Sequence, residues 1–175
     1  MSRGKNVKTI ILVGLFASII YSTTAYLFHI PTGMNNGYIH LGDAFIYLAA
    51  SLLPMPYAMA SAAIGAGLAD LLTGATAWVL PTIIIKPLLV IWFTSKPDKI
   101  VVKRNIGAVF IAAVVGLLGY GLAEGIMYGN FLAPLIKLPI SALQPIGCGT
   151  LYILVGFAFD RIKLKSQLVK TLEER

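Results

Sequence analysis

From Thr9 to Phe93 the chain meets only three charged side chains, Asp43, Asp70 and Lys86. A backbone that runs this far through apolar residues must satisfy its own N–H and C=O groups in lipid, which only helices and closed barrels achieve. Strand-period alternation is absent, so a barrel is set aside and helices remain. Only 12% of the 175 residues are charged and 58% are hydrophobic, whereas soluble domains carry roughly a quarter charged residues. A soluble globular fold is therefore excluded. The first apolar segment reads as a span and not as a removable secretory signal, because the apolar character continues after it.

At about 20 residues per span, the expected fold is an all-α integral membrane protein with six transmembrane helices in a single domain, residues 1–175. The spans fall at about 7–28, 40–54, 57–73, 77–94, 106–128 and 139–160. His29 to Gly42, with Pro31, Gly33, Asn35, Asn36 and Gly37, reads as a loop, as does the stretch through Asn130, Pro134, Lys137 and Pro139. The net charge of +7 would suggest nucleic acid in a soluble protein. Here twelve of the fourteen Lys and Arg residues fall in the N-terminal segment, in Ser95–Asn105 and in the tail from Arg161. By the positive-inside rule both termini are cytoplasmic, anionic lipid is the neighbour of the tail, and no nucleic acid is needed.

Charges within a bilayer are costly, so each requires a reason. On this topology Asp43, Asp70 and Glu124 lie towards the outer side, and Lys86 sits roughly 12 Å below Trp78 at helical rise. Residues four apart share a helix face. That spacing aligns His40, Asp43 and Tyr47; Trp78, Thr82 and Lys86; Tyr120, Glu124 and Tyr128; and Gln144 with Cys148. These stripes predict an outward-opening pocket with aromatic walls and a few placed polar groups, suited to a small planar polar molecule. The expected substrate-binding residues are Asn36, His40, Asp43, Tyr47, Lys86, Glu124, Tyr128 and Gln144. Other roles stand beside these: Asp43 as the cap of the second span, Asp70 and Lys86 as a structural ion pair, and the aromatics as an interfacial belt. His29 is expected at the loop surface and Cys148 in packing. Pro87 removes a backbone donor next to Lys86 and kinks the fourth span.

In the first span Gly14, Ser18 and Ser22 repeat at every fourth position, with Ala17 beside them. Such a small-residue ridge lets another helix approach closely, either within the protein or from a partner. Phosphate-binding, zinc-protease and nucleophile-elbow signatures are absent from the sequence. Two histidines flanking a loop make no metal set. The chain is read as no enzyme, with no metal and no cofactor.

The passage Gly37-Tyr-Ile-His-Leu-Gly-Asp43, followed by Ala69-Asp-Leu-Leu-Thr-Gly74 and Ile83-Ile-Ile-Lys86, resembles the S components, the substrate-binding subunits of energy-coupling factor (ECF) vitamin transporters. It looks most like the HmpT-like branch, assigned to hydroxymethylpyrimidine or related B-vitamin precursors; riboflavin and pantothenate carriers are relatives. The resemblance implies capture of a vitamin or precursor from outside a bacterial cell membrane, hydroxymethylpyrimidine, a pyridoxine-like compound or a related one. It also implies delivery with an EcfT-like transmembrane coupling subunit and two EcfA-like cytoplasmic ATPases. In that family small residues of the first helix, typically Ala-x-x-x-Ala, contact the coupling subunit. The matching positions here are Gly14, Ala17, Ser18 and Ser22, with glycine and serine replacing most of the alanines. The alternative is an autonomous or proton-coupled small-solute carrier using Asp70, Lys86 and Glu124. A membrane enzyme acting on lipid would need a clustered acid or metal motif, and none is present in the sequence.

Overall fold

The computed structural model describes residues 3–27, 29–31 and 38–173. Asn36, one of the expected ligand residues, lies outside the described residues. Helix α1 (Arg3–Ala25) leads to a short antiparallel ladder in which β1 (Ile30–Pro31) pairs with β2 (Tyr38–Ile39), Ile30 opposite Ile39. Helices α2 (Gly42–Leu52) and α3 (Met55–Leu72) follow, then a 3-10 turn at Thr76–Trp78 and α4 (Val79–Val90). The chain continues through α5 (Lys103–Tyr128), α6 (Leu132–Ser141), α7 (Leu143–Arg161) and α8 (Leu164–Glu173).

Four helical stretches are long and apolar enough to cross a bilayer: Val7–Ala25, Met55–Leu72, Lys103–Tyr128 and Leu132–Arg161. Two apolar stretches are shorter, Gly42–Leu52 and Thr76–Val90. At 1.5 Å per residue α2 is only about 17 Å long, against a hydrocarbon core of roughly 30 Å. Pro54 stops it, standing at the N-cap of α3 with an extended backbone.

The expected loop through Pro134 and Pro139 is corrected: residues 132–141 are helical. Pro134 falls in the first turn of α6, where backbone N–H groups have no intrahelical acceptor, so its missing donor costs little. The side chain of Asn130 starts the helix, its Oδ1 accepting the N–H groups of Leu132 at 3.0 Å and Ala133 at 3.2 Å. The sixth apolar segment therefore begins seven residues before the predicted 139, and a break at Ala142 separates α6 from α7.

Small side chains let the helices approach closely. Helix α1 lies along α3, and a Cβ at Gly65 would stand 2.5 Å from the carbonyl oxygen of Ala17. Tyr47 stacks on Phe93 at 5.0 Å, and both meet Tyr152 edge-on, filling the centre. At the end of the bundle away from the hairpin, fully buried Asn105 donates to the carbonyls of Thr94 and Ile100, both at 3.0 Å, and to Ser51 Oγ at 3.2 Å. Lys165 of α8 donates to the carbonyl of Ser51 at 2.9 Å, one of the α2 carbonyls that the helix end leaves open. With that end tied down, the polar residues at the hairpin end stand around an open space. Much of the outer surface is apolar; Phe110, Leu118 and Leu122 of α5 are among its exposed residues, as expected of a helix in lipid.

Candidate functional site

A cavity at the hairpin end is lined from α1, the hairpin and each of α2 to α7, and leaves about 160 Å³ in which the centres of water-sized groups can sit. Of the expected ligand residues, His40, Asp43, Tyr47, Lys86, Glu124 and Gln144 line it. Tyr128 does not: it stands in the last turn of α5, one turn past Glu124, half exposed with its ring 6.4 Å from that of Trp78. Tyr47 borders the cavity but spends its ring on the aromatic centre and is 1% exposed.

Lys86 enters from α4 and donates to Asp43 Oδ1 of α2 at 2.7 Å, both side chains being buried. The expected Asp70–Lys86 pair is thereby corrected. Asp70, at the end of α3, instead accepts the phenolic hydrogen of Tyr38 from the hairpin. The capping alternative for Asp43 also falls away, since the residue before α2 is Leu41 and no side-chain cap bond forms there. In a low-dielectric interior a lone ammonium would be severely destabilised, so direct pairing with Asp43 is what permits Lys86 to be 2% exposed. The ring of Tyr120 adds a face to the same cation, 5.0 Å from Nζ to the centroid.

Gln144, at the start of α7, completes the cluster. Its Nε2 donates to Asp43 Oδ2 at 3.0 Å, and its Oε1 accepts the backbone N–H of His40 at 3.3 Å. His40 Nδ1 accepts the N–H of Gly42 at 3.0 Å. Thr82 and Tyr120 share a hydrogen bond of 2.9 Å, and the ring of Trp78 stands 5.9 Å from Tyr120. The result is an aromatic wall facing a chain of hydrogen-bonded polar groups.

Several contributors were not legible beforehand. Glu124 is ion-paired with Lys137 of α6, a residue placed in a loop by the sequence reading. Tyr38 belongs to none of the predicted stripes; burial together with the charge of Asp70 pushes its hydroxyl's pKa well up, so it remains a donor. His29, expected at the loop surface, stacks on Tyr38 at 4.0 Å and bonds the carbonyl of Thr24 at 3.0 Å. Tyr38 stands two residues before His40, an aromatic next to a candidate ligand residue, and that neighbourhood was the usable signal. The pairing of Lys137 with Glu124 carried none, because the α5–α6 turn hid it. Among the described residues no three His, Cys, Asp or Glu side chains converge as a metal set.

The ridge on α1 divides. Gly14, Ser18 and Ser22 are exposed along one face, with Ser18 Oγ bonded to the carbonyl of Gly14 at 2.8 Å. Ala17 is corrected from that face: it is 6% exposed and its backbone meets Gly65 of α3. One residue step turns an α-helix by about 100°, so Ala17 cannot share the ridge with Ser18.

A family model for the ECF-type riboflavin transporter, S component, matches residues 4–159. The chain is also 30% identical over 115 residues to a protein of Pyrococcus woesei described as "Uncharacterized protein in gap 3'region", a match covering 62% of this chain and 73% of that protein. No solved structure matches the chain.

Proposed function

Because this chain belongs to the ECF-type riboflavin transporter S component family, a family of transporter subunits and not of enzymes, we propose that it captures a one-ring B-vitamin precursor at the cavity beneath the hairpin. Hydroxymethylpyrimidine or a pyridoxine-like compound, as in the HmpT-like branch, is the ligand of this reading. In this reading six segments pass the membrane, with both termini on the cytoplasmic side and the cavity on the outer side. The loaded subunit delivers its ligand with an EcfT-like coupling subunit and two EcfA-like ATPases, docked on Gly14, Ser18 and Ser22.

The observation that carries the ligand reading is the pairing of four of the five charged side chains of the cavity. Asp43 and Lys86 neutralise one another, Glu124 and Lys137 do the same, the third carboxylate, Asp70, accepts from the Tyr38 hydroxyl, and aromatic rings form the walls. A neutral, planar, hydrogen-bonding molecule suits such a lining better than a strongly charged one, whose desolvation would find little compensation. The docking reading rests on the exposed small-residue face of α1.

The test is titration of the purified full chain with hydroxymethylpyrimidine, pyridoxine and riboflavin. Micromolar or tighter binding of a one-ring compound is expected; tighter binding of riboflavin alone would move the ligand to three rings, and binding of none would sink the reading. An autonomous carrier would take up solute into liposomes holding this chain alone. With Asp43 and Glu124 held by lysines and Asp70 by Tyr38, no uptake is expected.

A further inference from the structure

Within the cavity lining, Asp70 is 4% exposed, and its Oδ2 has no hydrogen-bond partner among the described residues. The other oxygen, Oδ1, is engaged by Tyr38. Buried carboxylate oxygens are rarely left in this state, and each one calls for an explanation. The other groups of the lining do not supply it: Lys86 bonds Asp43, Lys137 bonds Glu124, and the neighbouring hydroxyl of Thr82 is engaged with Tyr120 at 2.9 Å. Thr24 Oγ1, from α1 and also lining the cavity, is likewise buried without a partner among the described residues.

The polarity of His40 completes the pattern. Its Nδ1 accepts from Gly42 and so carries no proton, which leaves the hydrogen on Nε2. The group facing that hydrogen is Gln144 Nε2 at 3.4 Å. Turning the amide over would set its oxygen against Asp43 Oδ2 and its NH2 against the backbone N–H of His40, so the orientation is fixed. Two donors therefore face each other, and His40 presents a donor that Gln144 does not satisfy.

From this we infer that Asp70 is a ligand-binding residue: its Oδ2 receives an N–H or O–H of the bound molecule, while His40 Nε2–H gives a hydrogen bond to a ring nitrogen or carbonyl of the same molecule. The ligand class is a neutral heterocycle bearing both an N–H or O–H donor and an acceptor, in the manner of an aminopyrimidine or a cyclic imide. This rests on the cavity being the substrate site. Tyr38 fixes the carboxylate by holding Oδ1, so the hairpin that covers the site also orients its acceptor.

The experiment uses the full chain and whichever of hydroxymethylpyrimidine, pyridoxine or riboflavin binds it. Asp70→Asn keeps the oxygen that Tyr38 needs and turns the other into an NH2 group. It is expected to weaken binding of that probe by at least about tenfold, the range for losing a hydrogen bond to a charged group. The same probe with its N–H and O–H donors methylated is expected to bind wild type at least about tenfold more weakly and to lose nothing further in the variant. Undiminished binding by Asp70→Asn, or no effect of methylation on wild type, overturns the assignment and gives Oδ2 to a trapped water. If Asp70→Asn does not fold, the methylated probe on wild type decides alone. Binding insensitive to both changes sinks this inference and leaves the substrate-site reading standing, whereas absence of binding by all three probes removes both.

Discussion

Lys86 shows what a single residue can demand of a membrane protein. It is a cation held at 2% exposure, and Asp43 of another helix answers it at 2.7 Å. Removing one member of such a pair leaves a buried charge without a partner, which typically costs about 3–5 kcal/mol, while replacing both with apolar groups is often neutral. Lys86→Met is accordingly expected to lower the melting temperature of the detergent-solubilised protein sharply, and Asp43→Leu added to it to restore most of the loss. Equal melting of wild type and Lys86→Met would show that the pair adds nothing to stability. The two residues were legible as costly membrane charges, yet their pairing was not, because 43 positions separate them. Helical spacing tells which face a charge occupies and not which helix stands opposite. Asp70, nearer in sequence, looked the better partner until Tyr38, from a loop with no periodicity to read, took it.

Among elements, α1 is the one with two assignments. Its buried side, through Ala17 and Ile20, meets Gly65 of α3 so closely that a Cβ there would collide with backbone. Its opposite ridge of Gly14, Ser18 and Ser22 meets nothing comparable, and Gly14 has open space where a Cβ would point. Ser18→Leu is therefore expected to leave ligand affinity and melting unchanged but to abolish co-purification with an added EcfT-like coupling subunit. Loss of ligand binding in that variant would mean that the ridge packs within the protein. The small-residue period was plain in the sequence; that Ala17 belongs to the other face followed from the turn per residue and became visible only once α3 was placed. Helix α6 was hidden for a different reason. Two prolines usually argue for a loop, but one in the first turn and one near the end interrupt little.

For the whole molecule, the apolar continuity of the sequence foretold a helical membrane protein. Its spans were expected to be uneven, 40–54 against 106–128, but the shortness of the fourth helix, Val79–Val90 within an expected 77–94, was not legible. The 12-residue helix α4, with Leu80, Ile83, Ile84 and Leu88 exposed, is roughly 18 Å long, and its neighbour α5, of 26 residues, roughly 39 Å. A bilayer wrapping both meets a short flank beside a long one, and acyl chains next to α4 must shorten or the protein must lean, at fractions of a kcal/mol per Å. Reconstituted in lipids of increasing acyl length, the protein is expected to melt highest in the thinner bilayers; a melting temperature independent of lipid length would count against that strain. Membrane thickness thus becomes a setting to which this fold is tuned, and the lipid around it is in that sense part of its specification.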